Sequence, residues 1–216
     1  MYNDRHLTGA YMKAFFRSTA VLGVVAALAA PVGAQTAGGA SLTPYVGYLI
    51  PGDWYSGPIG TSISVTNAPL FGVQGSVPLA QGVALVGNLS YAKGDLRIGL
   101  PLVGGVNVGS AAIWMYDAGV EVGGLKGKTE GIAPFVQGGL GAMTTDIKNG
   151  LLGVNATSFA FTAALGADIG VSEGFAVRVQ VKDWISRFNS EDAIGFKVDG
   201  NLAHNIALSA GVRLNF

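Results

Sequence analysis

The sequence contains no cysteine. A disulfide framework, a thiolate metal site and a thiol nucleophile are therefore all excluded. Charge is scarce as well: Asp, Glu, Lys and Arg make up 12% of the residues, against about 25% in an average soluble domain. Histidine occurs twice, at His6 and His204. His6 falls in a segment expected to be removed, and a lone His204 cannot build a histidine-rich metal centre. Thirteen basic residues face thirteen acidic ones, so no basic surplus points to nucleic acid as a partner. After residue 34 no apolar run reaches the roughly 20 residues that a spanning helix needs. Yet half of the residues are apolar, and 34 are glycine without a collagen-type period. Many apolar residues, few charges and no long apolar run are reconciled by strands in which apolar residues alternate with small or polar ones.

The N-terminal region explains the one long apolar stretch. Lys13 and Arg17 precede an apolar run from Thr19 to Ala30, and Pro31-Val32-Gly33-Ala34 ends it with small or short side chains. This is the pattern of a secretory signal peptide, and its length falls short of a membrane anchor. Residues 1–34 are the expected leader, with Met12 as the expected true start, and residues 35–216 are the expected mature domain. Removing Arg5, Lys13, Arg17 and Asp4 with the leader leaves 10 basic and 12 acidic residues, a net charge of about −2. No further domain is expected after Phe216.

Eight strands can be placed in the mature chain. They cover about residues 42–50, 70–77, 83–92, 113–123, 132–143, 158–170, 175–183 and 205–216. Connections after the second, fourth and sixth are short. Those after the first, third, fifth and seventh are longer, spanning about 51–69, 93–112, 144–157 and 184–204. Alternation of short turns with long loops predicts an all-β, eight-stranded antiparallel up-and-down transmembrane β-barrel. An even strand count puts both termini on the periplasmic side of a bacterial outer membrane. Strands that span lipid must close on themselves, because an open edge would leave backbone groups unsatisfied.

Each strand separates into two rows. Ile206, Leu208, Ala210, Val212, Leu214 and Phe216 oppose Asn205, Ala207, Ser209, Gly211, Arg213 and Asn215. Val177, Val179 and Val181 oppose Arg178, Gln180 and Lys182, and Trp114, Tyr116, Val120 and Val122 oppose Asp117, Gly119 and Glu121. The apolar rows are expected to face lipid. They carry Tyr91, Trp114, Tyr116, Phe159 and Phe161 near one rim and Phe175 and Phe216 near the other, as two aromatic girdles. The opposite rows enclose Asp117, Glu121 and Asp168 with Arg178, Lys182 and Arg213. Three acids balance three bases in a lumen too narrow for a wide channel, so a paired, plugged interior is expected. The alternative is a narrow pore that conducts ions or small solutes through these same groups.

Catalysis has little support. Ser209 would lie about 17 Å from His204 along an extended strand, too far for a Ser–His pair. Asp53, Asp95 and Asp146 are isolated loop acids, and the glycine-rich stretch 104–109 lacks the lysine and helix start of a phosphate loop. No enzyme activity, metal or cofactor is expected. Trp54 and Tyr55, adjacent aromatics among turn formers in the first long loop, form either a contact point for lipid, glycan or a partner or a tip folded back on the barrel rim.

The chain resembles the small bacterial outer-membrane β-barrel superfamily, which includes the transmembrane domain of outer-membrane protein A and the opacity-type proteins. The resemblance rests on the leader, on Thr43-Pro44-Tyr45-Val46-Gly47-Tyr48, on Ala133-Pro134-Phe135-Val136-Gln137-Gly138-Gly139-Leu140-Gly141 and on Asn205 through Phe216. It implies outer-membrane lipid and the barrel assembly machinery as partners. It also implies an assembly signal in Val212, Leu214 and Phe216, although Leu208 stands where an aromatic often occurs. Members range from structural anchors to surface-interaction proteins, and a monomer is expected.

Overall fold

A computed structural model describes residues 39–52, 55–56, 62–100, 104–124, 131–149, 152–172, 174–187 and 202–216. The expected leader and Trp54 lie outside these. The described chain is all-β and forms a closed antiparallel barrel of eight long strands. They are β1 (Ser41–Ile50), β4 (Ala68–Ala80), β5 (Val83–Leu100), β6 (Gly104–Gly123), β7 (Gly131–Asn149), β8 (Leu152–Ser172), β9 (Phe175–Arg187) and β10 (Leu202–Asn215). Two short strands, β2 (Tyr55–Ser56) and β3 (Ser62–Val65), come from the connection between β1 and β4. The barrel closes because β1 pairs with β10 and β5 pairs with both β4 and β6.

The registers set the tilt. Following paired residues around the wall from Trp114 gives Tyr91, Phe71, Val46, Ala210, Val179, Ala167 and Pro134. The circuit returns to β6 at Gly124, whose N–H donates to the Pro134 carbonyl. That is ten residues past its starting point. With eight strands and ordinary spacings, this stagger tilts the strands about 40° from the barrel axis.

Turn chemistry fits the short connections. The β4–β5 turn uses Gln81 and Gly82, and Gly82 sits at φ +76°, a conformation only glycine adopts at little cost. Pro44 has no N–H to donate, and the β1–β10 ladder skips Thr43 and Pro44 without changing register.

The long connections differ from the sequence expectation. Most of residues 93–112 and 144–157 extend the strands on either side, so β5–β6 pairs up to Leu100↔Gly104 and β7–β8 up to Asn149↔Leu152. The first long connection contributes β2 and β3, and β3 pairs with the far end of β5. The last connection shortens at both ends, because β9 continues to Arg187 and β10 begins at Leu202.

Candidate functional site: a layered barrel interior

Side chains alternate between wall and lumen along every strand, and the ten-residue stagger decides which of them share a height. At the end where β1 begins and β10 finishes, two acids and two bases meet. Arg178 donates from Nε and Nη2 to the two carboxylate oxygens of Asp168 at 2.7 and 2.8 Å, and from Nη1 to Glu121 at 2.8 Å. Arg213 Nη1 donates to Asp168 at 2.6 Å and lies 3.7 Å from the second Glu121 oxygen. Gln137 adds a bond to Glu121 at 2.8 Å. These ionic side chains are almost fully buried. Fork-shaped guanidinium pairing of this kind gives the strongest side-chain hydrogen bonds.

Further along the axis, Lys182 donates to Asp117 at 2.5 Å, Asn88 donates to Asp117 at 3.0 Å, and the Tyr45 hydroxyl donates to Asn88 at 2.7 Å. All six charged residues singled out from the sequence thus enter the lumen, divided into a four-membered group and a separate Asp117–Lys182 pair. Tyr45→Phe should remove one buried bond and lower stability by about 1 kcal/mol. Denaturant unfolding in detergent micelles checks this, and an unchanged midpoint would show that the hydroxyl contributes nothing.

Beyond the Asp117–Lys182 pair the lumen becomes mainly apolar, with Ser90, Thr162, Ser158, Ser186 and Asn205 buried beside the apolar side chains. At one height the eight long strands each supply one inward residue: Leu49, Leu70, Ala92, Met115, Met143, Ala160, Trp184 and Ala207. All are buried in one hydrophobic cluster. A second tier caps it with Ala68, Ala111, Ile113, Ala203 and Val65 of β3. Val65 is held there by reciprocal bonds: Thr66 N–H donates to the Asp95 carbonyl at 2.8 Å, and Asp95 N–H donates to the Thr66 hydroxyl at 2.9 Å.

Three inward aromatics are not apparent from single-strand patterns. Trp184 falls in the expected seventh loop but lies inside, its ring 5.0 Å from Lys182 Nζ. Phe135 lies under Arg178, with 4.1 Å from the guanidinium carbon to the ring centroid. Tyr45 lies over Gly72, its cross-strand partner.

The outer wall carries the large apolar side chains. Trp114, Phe159, Phe161 and Phe216 are exposed, as are Val179, Val181, Leu208 and Leu214. Tyr91 and Trp114 pack with centroids 4.8 Å apart, and Phe159 meets Phe161 edge-on at 5.2 Å. With Tyr116, these aromatics lie level with the apolar layer inside. Phe175 and Phe216 lie toward the opposite end. The axial distance between the two groups is roughly 20–25 Å. Val212 pairs with Val177 and Leu214 with Phe175 in the closing β9–β10 ladder. Tyr55 begins β2. His204 stays outside, its Nδ1 2.7 Å from Asp183 Oδ2. Among the described residues no cluster of three or more His, Cys, Asp or Glu is placed to hold a metal.

No family model matches the chain, and no curated protein does. Solved structures do. Neisserial surface protein A superposes with a TM-score of 0.59 at 12% identity, covering 84% of this chain and 100% of that one. Outer-membrane protein OprG of Pseudomonas aeruginosa gives 0.59 at 11% identity, covering 84% and 98%. The N-terminal β-barrel domain of OprF from the same organism gives 0.50 at 14% identity, covering 84% and 100%. At such identities the likeness establishes the fold, that of the small outer-membrane barrels, and the buried salt-bridge interior is compatible with it.

Proposed function

We propose that the protein is an integral outer-membrane barrel with a closed interior, acting as a structural or surface-interacting element rather than as an enzyme. The observation that carries this reading is the inverted partition. Ion pairs are enclosed at full burial, while a continuous belt of valine, leucine and aromatic residues faces outward. Apolar area on this scale is unfavourable against water and favourable against lipid. The separation of the two aromatic groups matches the apolar band of about 25 Å found on such barrels. In this reading Tyr91, Trp114, Tyr116, Phe159 and Phe161 lie at the extracellular rim. Phe175, Phe216 and both termini lie at the periplasmic rim.

The long β5–β6 and β7–β8 hairpins then project outward as the surface open to partners, and Trp54 and Tyr55 are the contact residues put forward from the sequence. Val212, Leu214 and Phe216 on the closing strand serve as the assembly signal. The narrow-pore alternative has the polar layers in its favour and the apolar layer against it. Outer-membrane fractionation combined with heat-modifiable migration on detergent gels tests the main reading. The expected result is a membrane-borne band that shifts only on boiling, and recovery as a soluble periplasmic monomer would overturn it. Phe216→Ser is expected to reduce insertion several-fold while export continues. Unchanged insertion would remove the role given to Phe216.

A further inference from the structure

We infer that the apolar layer at the extracellular end, and not the ion-pair network, is the barrier that closes this barrel to ions. The inference rests on the outer-membrane reading above and deepens it. An ion moving along the lumen needs groups that replace its hydration shell. From Arg213 and Asp168 as far as Lys182 and Asp117, the lumen supplies carboxylates, amides and hydroxyls. At the next height the inward side chain from each of the eight long strands is apolar, and the polar groups beside this layer, Ser90, Ser186 and Asn205, are bonded to the Met115 carbonyl, the Met143 sulfur and the Trp184 carbonyl. Trp184, the bulkiest member of the layer, is 1% exposed, and Leu49, Leu70 and Met115 are each 0% exposed.

The layer is also covered from outside. Val65 of β3 packs into the tier above, and the Thr66–Asp95 bonds fix it there. The aromatic girdle surrounds the same height on the lipid side, so the layer lies in the part of the wall braced at the membrane interface. The two charged groups are thus on one side of a septum to which all eight long strands contribute. Their residues neutralise one another and hold the wall. Rearranging them leaves the septum intact.

Planar-bilayer recordings on the purified full-length protein test this. Wild type and the Asp168→Asn/Arg213→Gln variant are expected to stay silent, because both keep the septum. Trp184→Ser combined with Met115→Ser is expected to give discrete current steps, with open events at least about tenfold above the wild-type background. Leu49→Ser with Leu70→Ser breaches the same layer from the other side of the barrel and replaces the first pair if that one does not fold. Heat-modifiable migration shows which variants are folded. Conduction by the Asp168/Arg213 variant, or silence of a folded septum variant recovered from the outer membrane, overturns the septum. Absence of wild type from the outer-membrane fraction overturns instead the reading on which it rests.

Discussion

Replacing Arg178 with alanine is expected to lower the stability of the barrel by about 3–5 kcal/mol. Arg178 is the hub of the larger ionic group: it holds both oxygens of Asp168 and one of Glu121. Its removal leaves two buried carboxylates facing a single base, Arg213, which reaches Asp168 at 2.6 Å but Glu121 only at 3.7 Å. A carboxylate out of water and short of a partner is among the most costly defects a folded chain can carry. The change also removes the cation from the Phe135 ring, a smaller loss of about 1 kcal/mol.

Urea unfolding in detergent micelles measures the effect, with Arg178→Lys as the informative second variant. Lysine keeps the charge but has no planar fork, so it can serve one carboxylate well and not both. Its loss should be intermediate. A loss below about 1 kcal/mol for Arg178→Ala would mean that solvent reaches Asp168 and Glu121 freely, contrary to their full burial.

Much of this arrangement is legible in the sequence, because a strand has a period of two and one row of each strand is strongly apolar. In β9, Val177, Val179 and Val181 alternate with Arg178 and Lys182, and parity alone puts the two bases on the opposite side from the valines. The same reasoning separates Asp117 and Glu121 from Val120 and Val122 in β6. The contrast weakens beyond the apolar belt. Residues 93–112 hold five glycines and Pro101, and residues 144–157 hold Gly150 and Gly153 beside Asp146 and Asn149, so turn-forming residues make the strand extensions resemble loops. Trp184 is obscured for a related reason. Asp183 interrupts the outward apolar row just before it and gives the strand an apparent end.

The apolar layer is hidden at a deeper level. Leu49, Leu70, Met115 and Trp184 are far apart in the chain, and nothing within any one strand puts them at a common height. Their meeting depends on the stagger of the closed sheet, which belongs to the pairing of all eight strands together. The inward direction of Phe135 and Tyr45 is likewise a property of pairs. Each ring lies against a glycine on the neighbouring strand, and that neighbour is known only once the register is.

Gly166→Val is expected to be as damaging as the loss of Arg178, costing about 3 kcal/mol or preventing folding. Gly166 is the cross-strand partner of Phe135. A Cβ there would overlap the Val179 carbonyl oxygen of the adjacent strand and lie 2.6 Å from Phe135 Cζ. Backbone cannot yield without opening the β8–β9 ladder, and the ring cannot yield without leaving Arg178. Glycine at this point is therefore required by a close approach on both sides. Gly138, on the neighbouring strand β7, supplies the control. It is exposed on the outer wall, and a Cβ there meets nothing within 4 Å. Gly138→Val should be neutral or stabilising by up to about 1 kcal/mol, since a β-branched residue suits an extended backbone and reduces the freedom of the unfolded chain. The two variants carry the same chemical change and differ only in the side of the wall on which it falls. Heat-modifiable migration and urea midpoints should separate them clearly. Equal tolerance would mean that Phe135 does not lie over β8, and the stacked position of Arg178 would then have to be abandoned with it.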